Sequence, residues 1–451
     1  MTVDRQELAP CKERVVIEVP SEEIEKEYLK AYQNLRQQVT IPGFRKGKAP
    51  VSVVRARFRD YVTSRLVEEF LPKVYEDAIK QEGLKVVGDP QFDEIVIEEG
   101  KPLRLEMVVE VHPEVELKRY TGFTIVKGDA TVSEEDVDRK IEALRSEHAT
   151  FEERTEGAQE GDILIIDYEV YEGDERLEGK GEEGIAFTIG GERTMPEFNE
   201  ALLGVNPGDD VEIPVTLPEN YIDPDLAGKD VTFWVTVREV KRMILPPLDD
   251  EFFAKMGVGS EEELRQRVRE QIQREKDDMV WEGMVSQLKE HMLSCHEDFP
   301  VPPSLVESGL NKVMEDVKMR FRIMGMDPEE PGTITDEMRQ EAERKVRRDV
   351  QFTYLIHKVA DKEEVKVSEE EIREKLEKIA EDLNMPVDRV IDWMDRAGRL
   401  NAIALEMLER KTLEYIFSRC KVVSPEQARA MARAASYQRW GRRPRHRTPR
   451  R

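Results

Sequence analysis

The chain has 451 residues, of which 39% are hydrophobic and 37% are charged, and its formal net charge is −26. At ~100–200 residues per domain, this length predicts about three domains with ordinary hydrophobic cores. The negative charge repels nucleic acid over most of the surface, which excludes a general DNA- or RNA-coating role. The sequence shows neither a run of ~18 apolar residues nor an apolar secretion signal, so we expect a cytoplasmic protein without membrane contact.

Cysteine and histidine give little evidence for a disulfide framework or a metal site. Cys11, Cys295 and Cys420 are too far apart for a CxxC pair, and three is a low, odd number. His291 and Cys295 have the i, i+4 spacing of one helical face, and His296 is adjacent. Three scattered donors make a poor zinc site, so we expect no bound metal.

The first part of the chain predicts an α+β domain that ends near Val115. Residues 11–20 alternate as a strand does, and Ser21 is predicted to cap a helix that stops before Pro42. The pattern then predicts a second helix from about residue 51, a further helical stretch over residues 67–83, and two strands on either side of Gly100.

The middle of the chain predicts a linker and then a β-rich module. Residues 131–146 read as a helix with Ser133 and Asp136 in capping-box spacing. Residues 150–245 contain short apolar segments separated by Gly, Pro, Asn and Asp, which is typical of a compact β module.

Beyond Pro246 the pattern is helical and thin in core residues. Further capping-box pairs are Ser260 with Glu263 and Ser368 with Glu371. Breaks at residues 299–304, 325–335 and 383–388 favour an extended helical body with arms over a compact bundle. The expected fold class is therefore α+β multidomain, with an N-terminal α+β domain, a β-rich domain and an extended all-α C-terminal domain at residues 246–424.

The last 27 residues, 425–451, form a basic segment on an acidic chain. They contain nine Arg against the single Glu426, a balance of +8, so the remaining residues carry −34. Residues 441–451 lack apolar periodicity, and the whole segment 425–451 is predicted to be a disordered tail. Such a segment either folds back on the acidic surface or binds phosphate groups, and the sequence leaves both readings open.

The β module contains aromatic side chains in an order that resembles the FK506-binding-protein class of peptidyl-prolyl isomerases. No nucleophile–base pair, phosphate loop or metal box occurs in the sequence, so any catalysis is expected to work without covalent chemistry or a cofactor. The resemblance implies a shallow apolar pocket for a prolyl ring, with Phe198 as its floor and the Met195 N–H holding a substrate carbonyl. The matching residues are Tyr168, Glu178, Phe187, Met195, Phe198, Tyr221 and Phe233.

An apolar pocket suits this chemistry physically. Rotation about an X-Pro bond has a barrier of ~18–20 kcal/mol because twisting the C–N bond sacrifices amide resonance. A partly dry pocket favours the twisted amide, whose C–N bond is less polarised than that of the planar form, and a positioned donor fixes the geometry. The alternative is that these aromatic rings only fill a small β core.

Two residues depart from the isomerase pattern. Glu197 stands where the class usually has Gly before the floor aromatic, and Leu177 stands where it has Phe. A carboxylate at the rim and a missing ring predict weakened turnover.

Residues 43–50, Gly-Phe-Arg-Lys-Gly-Lys-Ala-Pro, carry the most specific signal in the chain. Pro and Gly predict a projecting loop between two helices, with Phe44 exposed beside Arg45, Lys46 and Lys48. An aromatic plug among cations suits a phosphate-rich surface that has a protein groove. The alternative is an ordinary basic turn with Phe44 directed inward.

This octet in a helix–loop–helix resembles the ribosome-docking signature of the trigger factor family. The resemblance carries the family's contact residues onto Phe44, Arg45 and Lys46. The family also joins this docking domain, here residues 1–115, through a linker at 116–149 to an isomerase module at 150–245 and a helical domain at 246–424. The segment 425–451 is not part of the family pattern.

The resemblance implies a ribosome-associated chaperone that binds nascent and unfolded polypeptides at the exit-tunnel rim of the large subunit and isomerises their X-Pro bonds. It also implies contact with ribosomal RNA through the docking loop, a homodimer off the ribosome, and roles in protein transport and cell division. Most of the 17 Met residues at helical spacing are expected to be core. A stand-alone isomerase whose flanking domains only recruit substrates is the main alternative, and an RNA-binding factor led by the basic tail is a third.

Overall fold

The structure is a computed structural model that describes residues 1–154, 156–173, 175–177, 179–191, 195–218, 226–324, 326–329, 332–383, 385–431 and 433. It divides into two compact units. Unit 1 comprises Met1–Gly128 with Glu282–Arg451, and unit 2 comprises Asp129–Trp281. Each unit is described by itself.

The elements follow one another in two stretches. The first stretch contains β1 (Thr2–Ala9), β2 (Lys12–Val19), α1 (Ser21–Gln38), α2 (Val51–Glu82), β3 (Val86–Val96), β4 (Leu103–Val111), β5 (Thr124–Val126), α3 (Glu134–Glu147), β6 (Thr150–Glu153), β7 (Ile163–Glu172), β8 (Glu175–Arg176), β9 (Glu182–Thr188), α4 (Pro196–Leu202), β10 (Asp210–Thr216) and β11 (Asp230–Ile244). The second contains α5 (Asp250–Met256), α6 (Glu261–Cys295), α7 (Pro303–Ile323), α8 (Asp336–Lys362), α9 (Glu369–Asp382), α10 (Val387–Arg396), α11 (Leu400–Ser418) and β12 (Lys421–Val423). Mixed helices and strands followed by a helical C-terminal part confirm the predicted fold class.

The N-terminal part of unit 1 is an antiparallel four-stranded sheet, in the order β1-β2-β4-β3, covered by α1 and α2. Alternate residues of β2 and β4, such as Val15, Ile17 and Leu105, are fully buried because successive side chains of a strand point to opposite faces. Tyr28 and Tyr32 of α1 complete this core. The predicted strands around Gly100 are confirmed as β3 and β4, whereas β1, whose residues are mostly exposed, was not predicted.

The predicted cap at Ser21 is wrong. Pro20 occupies the N-cap position, Ser21 is the first helical residue, and no side chain caps this helix end. Instead the Pro20 carbonyl accepts hydrogen bonds from the N–H groups of Glu23 and Ile24. The pyrrolidine ring restricts φ of Pro20 to −56°, which is compatible with the start of a helix. The helix therefore begins without a capping hydrogen bond from the Ser21 hydroxyl.

The two helical segments predicted within residues 51–83 form one element, α2. Phe58 has non-helical dihedral angles, φ −127° and ψ 24°, so the helix bends there. Pro72 lies inside the helix, and Gly83 ends it in the left-handed conformation.

Unit 2 contains the β-rich module, a six-stranded sheet in which β7 and the long β11 are central neighbours. The strand order is β10-β11-β7-β8, with β6 also paired to β11 and β9 to β7. Its core includes Leu164, Val235 and Val237, which are essentially inaccessible, and the short helix α4 packs Phe198 and Leu202 onto it. The four main predicted strands are confirmed, while α4 was not predicted.

The rest of unit 2 is helical and begins with the linker helix α3. The predicted capping box is confirmed: the Ser133 hydroxyl accepts from the Asp136 N–H, and the Asp136 carboxylate accepts from the Ser133 N–H. At α6 the Ser260 hydroxyl accepts from the Glu263 N–H, but the Glu263 carboxylate accepts from the Gly259 N–H instead of Ser260. The predicted box is therefore shifted by one residue on its carboxylate side.

The C-terminal helices of unit 1 are separated at the three predicted breaks. Ser368 and Glu371 form a complete capping box at α9, as predicted. Two of the cores here are small: one centres on Val306 and Val346, and the other on Leu376 and Val390. Small separate cores agree with the prediction of helices thin in core residues.

The basic C-terminal segment does not begin as a disordered one. Residues 425–431 are helical, with a capping box in which Ser424 and Gln427 exchange hydrogen bonds. The prediction of a disordered tail from residue 425 is thus wrong for these residues. Residues 434–451, including the segment 441–451, lie outside the described residues.

No helix within the described residues is long and apolar enough to cross a membrane.

Candidate functional site

The loop between α1 and α2 consists of two consecutive tight turns. The Phe44 N–H donates to the Ile41 carbonyl at 3.0 Å, and the Lys48 N–H donates to the Arg45 carbonyl at 2.9 Å. Gly43 and Gly47 occupy the third position of these turns with φ of +88° and +78°. Only glycine adopts this left-handed conformation without strain, so the two glycines set the shape of the loop.

The same loop is fixed at its ends and exposed at its tip. Ile41 and Ala49 are both 4% exposed and pack into the core of the N-terminal sheet and helices. Phe44 is 41% exposed, and Arg45 and Lys46 are exposed beside it. Neither cation forms an ion pair within the described part of the chain. The loop therefore presents an aromatic ring and two unpaired positive charges on a defined backbone.

In the β module, four of the predicted site residues form one continuous aromatic row. The Tyr168 and Phe233 rings lie 5.7 Å apart between centroids, Phe233 and Phe198 lie 5.0 Å apart in an edge-to-face arrangement, and Phe198 and Phe187 lie 5.8 Å apart. These spacings are in the favourable range for aromatic pairs. Residues from β7, β11, α4 and β9 thus meet at one place although they are up to 65 residues apart.

Burial differs along this row. Phe198 and Phe233 are only 7% and 5% exposed, whereas Tyr168 and Phe187 are partly buried. The two deep rings fill the core, and the two partly accessible rings lie toward its edge. The alternative that these rings only fill a core therefore describes Phe198 and Phe233 better than Tyr168 and Phe187.

Met195 lies beside the row at the start of α4. It is partly buried against the same core, and its carbonyl accepts the Phe198 N–H at 3.1 Å. The Met195 N–H has no acceptor within the described residues. It is therefore able to donate to a ligand carbonyl, as the predicted role requires. Glu178 and Tyr221, the other two predicted pocket residues, lie outside the described residues.

The two departures from the isomerase pattern have different surroundings. Leu177 is partly buried and packs against the module core, and its N–H donates to the Val170 carbonyl at 2.9 Å. Glu197 is exposed in the first turn of α4. Leucine thus keeps an apolar wall, whereas Glu197 adds a charge at the surface.

Two supporting residues were missed by the sequence analysis. The Asn199 side chain accepts the Gly190 N–H at 2.8 Å, which ties α4 to the segment after β9. Gly181 lies so close to Tyr168 that an added Cβ would meet the Tyr168 carbonyl oxygen at 2.6 Å. In the sequence, Gly181 indicated only a turn. Its close approach to Tyr168 depends on how two separate segments pack, which neither segment shows by itself.

The histidine and cysteine group near the end of α6 is used structurally. The His291 ring stacks on Phe123 at 5.3 Å between centroids. His296 accepts the Lys118 N–H on Nε2 at 2.9 Å, and its Nδ1 lies 2.7 Å from the Met292 carbonyl. No cluster of three His, Cys, Asp or Glu that could hold a metal occurs within the described residues.

Within its described residues, the β module has a continuous aromatic row beside a backbone N–H that lacks an acceptor there, which suits non-covalent isomerisation of an X-Pro bond. Residues 154–238 match the family described as FKBP-type peptidyl-prolyl cis-trans isomerase. Residues 1–144 match bacterial trigger factor protein, and residues 260–418 match bacterial trigger factor protein C-terminus. The chain belongs to the trigger factor family and is a chaperone with a peptidyl-prolyl cis–trans isomerase domain.

The similarity extends over nearly the whole length of individual relatives. The trigger factor of Carboxydothermus hydrogenoformans is 33% identical over 430 residues, which cover 94% of this chain and all of the relative. The trigger factor of Chromohalobacter salexigens is 32% identical over 443 residues, which cover 98% of both chains. A solved structure described as promiscuous substrate recognition in folding and assembly activities of the trigger factor chaperone covers 93% of this chain and 99% of its own, with 24% identity and a TM-score of 0.45.

Proposed function

We propose that this chaperone docks on the large ribosomal subunit at the rim of the exit tunnel through the loop at residues 43–50. There it binds nascent polypeptides and isomerises their X-Pro bonds. The observation that supports this proposal most strongly is the structure of the loop. Phe44 is exposed between two glycine-containing turns, beside Arg45 and Lys46. An exposed phenylalanine between two cations on a loop of defined shape supplies the kind of aromatic anchor that interfaces use.

The proposed partner surface has two components. Arg45 and Lys46 suit ribosomal RNA phosphates, and Phe44 suits a groove of a ribosomal protein. The net charge of −26 opposes contact with RNA over most of the surface, which favours docking through this loop and its surroundings.

The triple substitution Phe44→Ala, Arg45→Ala and Lys46→Ala tests the docking. The loss of an aromatic anchor and two charges costs ~1–3 kcal/mol each at an interface, so co-sedimentation with large ribosomal subunits should disappear at physiological salt. Thermal unfolding should be nearly unchanged because the three side chains are exposed. Unchanged co-sedimentation of the triple variant contradicts the docking assignment.

A matched control removes the same chemistry elsewhere in the same domain. Phe92 is 47% exposed on β3, and Lys73 and Lys85 are exposed cations. Replacing these three residues by alanine should leave ribosome binding intact. An equal loss in both triple variants would mean that binding depends on general charge and apolar surface, not on the loop.

We further propose that the prolyl pocket is lined by Tyr168, Phe187, Met195, Phe198 and Phe233, with Glu178 and Tyr221 completing it. The continuous aromatic row and the available Met195 N–H support this assignment. Phe233→Ala should strongly reduce the rate at which the protein catalyses proline-limited refolding of a substrate, because the substitution opens the pocket to water. The rate is measured in an assay without protease. Since Phe233 is also core, Phe187→Ala, at a partly accessible ring, separates loss of activity from loss of folding.

The proposed domain division is the one expected from the sequence. It consists of a ribosome-docking domain (1–115), a linker (116–149), an isomerase domain (150–245) and a helical domain that binds client proteins (246–424). The matches at 1–144, 154–238 and 260–418 support this order. Docking on ribosomes implies a cytoplasmic location.

Off the ribosome we propose a homodimer. Analytical ultracentrifugation tests this proposal, because a dimer that dissociates has a sedimentation coefficient that depends on protein concentration.

A further inference from the structure

The isomerase module accounts for most of the chain's net negative charge. Residues 150–245 contain 24 Asp and Glu against 8 Lys and Arg, a balance of −16, while the whole chain carries −26. The other 355 residues therefore share only −10. A charge concentrated in this way produces a local field that attracts cations to the module and repels anions.

The cations of the module are mostly neutralised inside it. Five of the eight form ion pairs with carboxylates of the same module: Arg154 with Asp162, Arg176 with Glu169, Lys229 with Glu172, Arg238 with Asp167 and Glu183, and Lys241 with Glu239. Because these cations are already paired, they do not neutralise the remaining carboxylates of the module. The field at the module surface is therefore set by carboxylates that lack a cation.

Glu197 is one of these carboxylates and is adjacent in sequence to Phe198 of the aromatic row. It is exposed in the first turn of α4, and it forms no ion pair with any described residue. It directly precedes Phe198, whose ring is in the row, and it follows Met195 by two residues. Adjacent Cα atoms are 3.8 Å apart, so the Glu197 side chain begins within about 4 Å of the backbone that carries the Phe198 ring.

We propose that Glu197 is a specificity-determining residue that favours X-Pro segments with Lys or Arg next to the prolyl bond. This inference rests on the proposed prolyl pocket. A flanking side chain of a peptide whose proline occupies that pocket passes the exposed Glu197 carboxylate. If the Glu197 carboxylate and a flanking Lys or Arg charge are about 7 Å apart in surroundings close to water, their attraction raises kcat/KM about two- to fivefold.

The test uses the full-length protein and proline peptides that differ only in the residue before proline: Lys, Ala or Glu. Isomerisation is followed by NMR exchange, and the readout is the ratio of kcat/KM for the Lys and Glu peptides. The ratio should exceed one in the wild type, fall about two- to fivefold in Glu197→Gln, and fall further in Glu197→Lys. A general loss of activity cancels in this ratio. At 1 M salt the wild-type ratio should approach that of Glu197→Gln because the Debye length is then about 3 Å.

Glu153→Gln is the matched control because it removes the same charge from the same module. Glu153 is exposed on β6 and pairs in register with Lys241 of β11, eight residues from Phe233. At ~3.3 Å per residue this places it about 26 Å from Phe233 and about 20 Å from Tyr168, which pairs with Val235, and both distances are well beyond the Debye length at physiological salt. The Lys/Glu ratio should therefore be that of the wild type.

Three results would overturn the inference. An equal ratio in the wild type and Glu197→Gln shows that Glu197 does not select the flanking residue. A ratio lowered as much by Glu153→Gln as by Glu197→Gln assigns the preference to the whole module's charge. A wild type inactive on the Ala peptide removes the proposed pocket together with the inference, whereas activity with an unchanged ratio removes the inference alone.

Discussion

Replacing Gly47 by alanine tests whether the docking loop acts through its shape as well as through its side chains. Gly47 has φ +78°, and an added Cβ would have no neighbour within 4 Å. The substitution therefore introduces no clash, and its cost is the left-handed backbone conformation of a residue with a Cβ, about 1–2 kcal/mol. Phe44, Arg45 and Lys46 keep their chemistry.

If the free alanine variant relaxes this turn and the ribosome binds the loop only in the left-handed conformation, the cost appears in the dissociation constant. An increase of about 1–2 kcal/mol in binding free energy corresponds to a Kd about 5–30 times higher. Fluorescence titration of the protein with large ribosomal subunits measures this change. Gly43→Ala, at φ +88° and equally without neighbours, should have a similar effect.

Gly83→Ala provides the control for backbone strain. Gly83 ends α2 at φ +63°, also with no atom within 4 Å of an added Cβ, and lies at the opposite end of that helix from the loop. It should lower the unfolding free energy by about 1 kcal/mol and leave Kd unchanged. If Gly47→Ala binds like the wild type, the turn conformation is irrelevant to docking and the argument from loop shape is refuted.

Two further predictions concern unit 2. Deleting residues 151–241 should abolish isomerase activity but leave much of the suppression of aggregation of a proline-free client in light scattering; protection by the isolated module alone would favour the stand-alone isomerase. The second concerns Asp136, whose pKa is lowered by the hydrogen bond from Lys276 and next by the Ser133 N–H. A carboxyl with a lowered folded-state pKa stabilises the fold above its unfolded pKa and loses that contribution as pH falls. The urea midpoint difference between wild type and Asp136→Asn should therefore be larger at pH 6 than at pH 3, and equal differences would contradict this role.

Local signals in the sequence were sufficient for most elements. The capping boxes at Ser133 and Ser368 were predictable because a hydroxyl and a carboxylate three residues apart satisfy the same free N–H groups in any helix. The turns at residues 41–48 were predictable because Gly43 and Gly47 permit a conformation that other residues avoid. These features depend on neighbours within four residues, and a single sequence contains that information.

The aromatic residues of the β module were recognisable in the sequence, whereas their arrangement was not. The resemblance supplied Tyr168, Phe187, Phe198 and Phe233, but their hydrophobicity alone equally suits a core. Only the folded sheet separates the buried Phe198 and Phe233 from the partly accessible Tyr168 and Phe187. The close approach of Gly181 to the Tyr168 carbonyl likewise depends on how β7 and the segment before β9 meet.

Long-range pairing was decided by the tertiary structure alone. Strand β5 pairs in parallel with β12, which lies about 300 residues later, and Gln287 of α6 hydrogen-bonds both the N–H and the carbonyl of Val126 in β5. The Glu110 carboxylate similarly accepts from the N–H and hydroxyl of Ser304 at the start of α7. Short three-residue strands have no periodicity to read, and their partners are chosen by which backbone groups remain unpaired after the larger elements have packed. The sequence by itself thus determined most of the elements and the family, and only packing determined which distant segments hold one another in place.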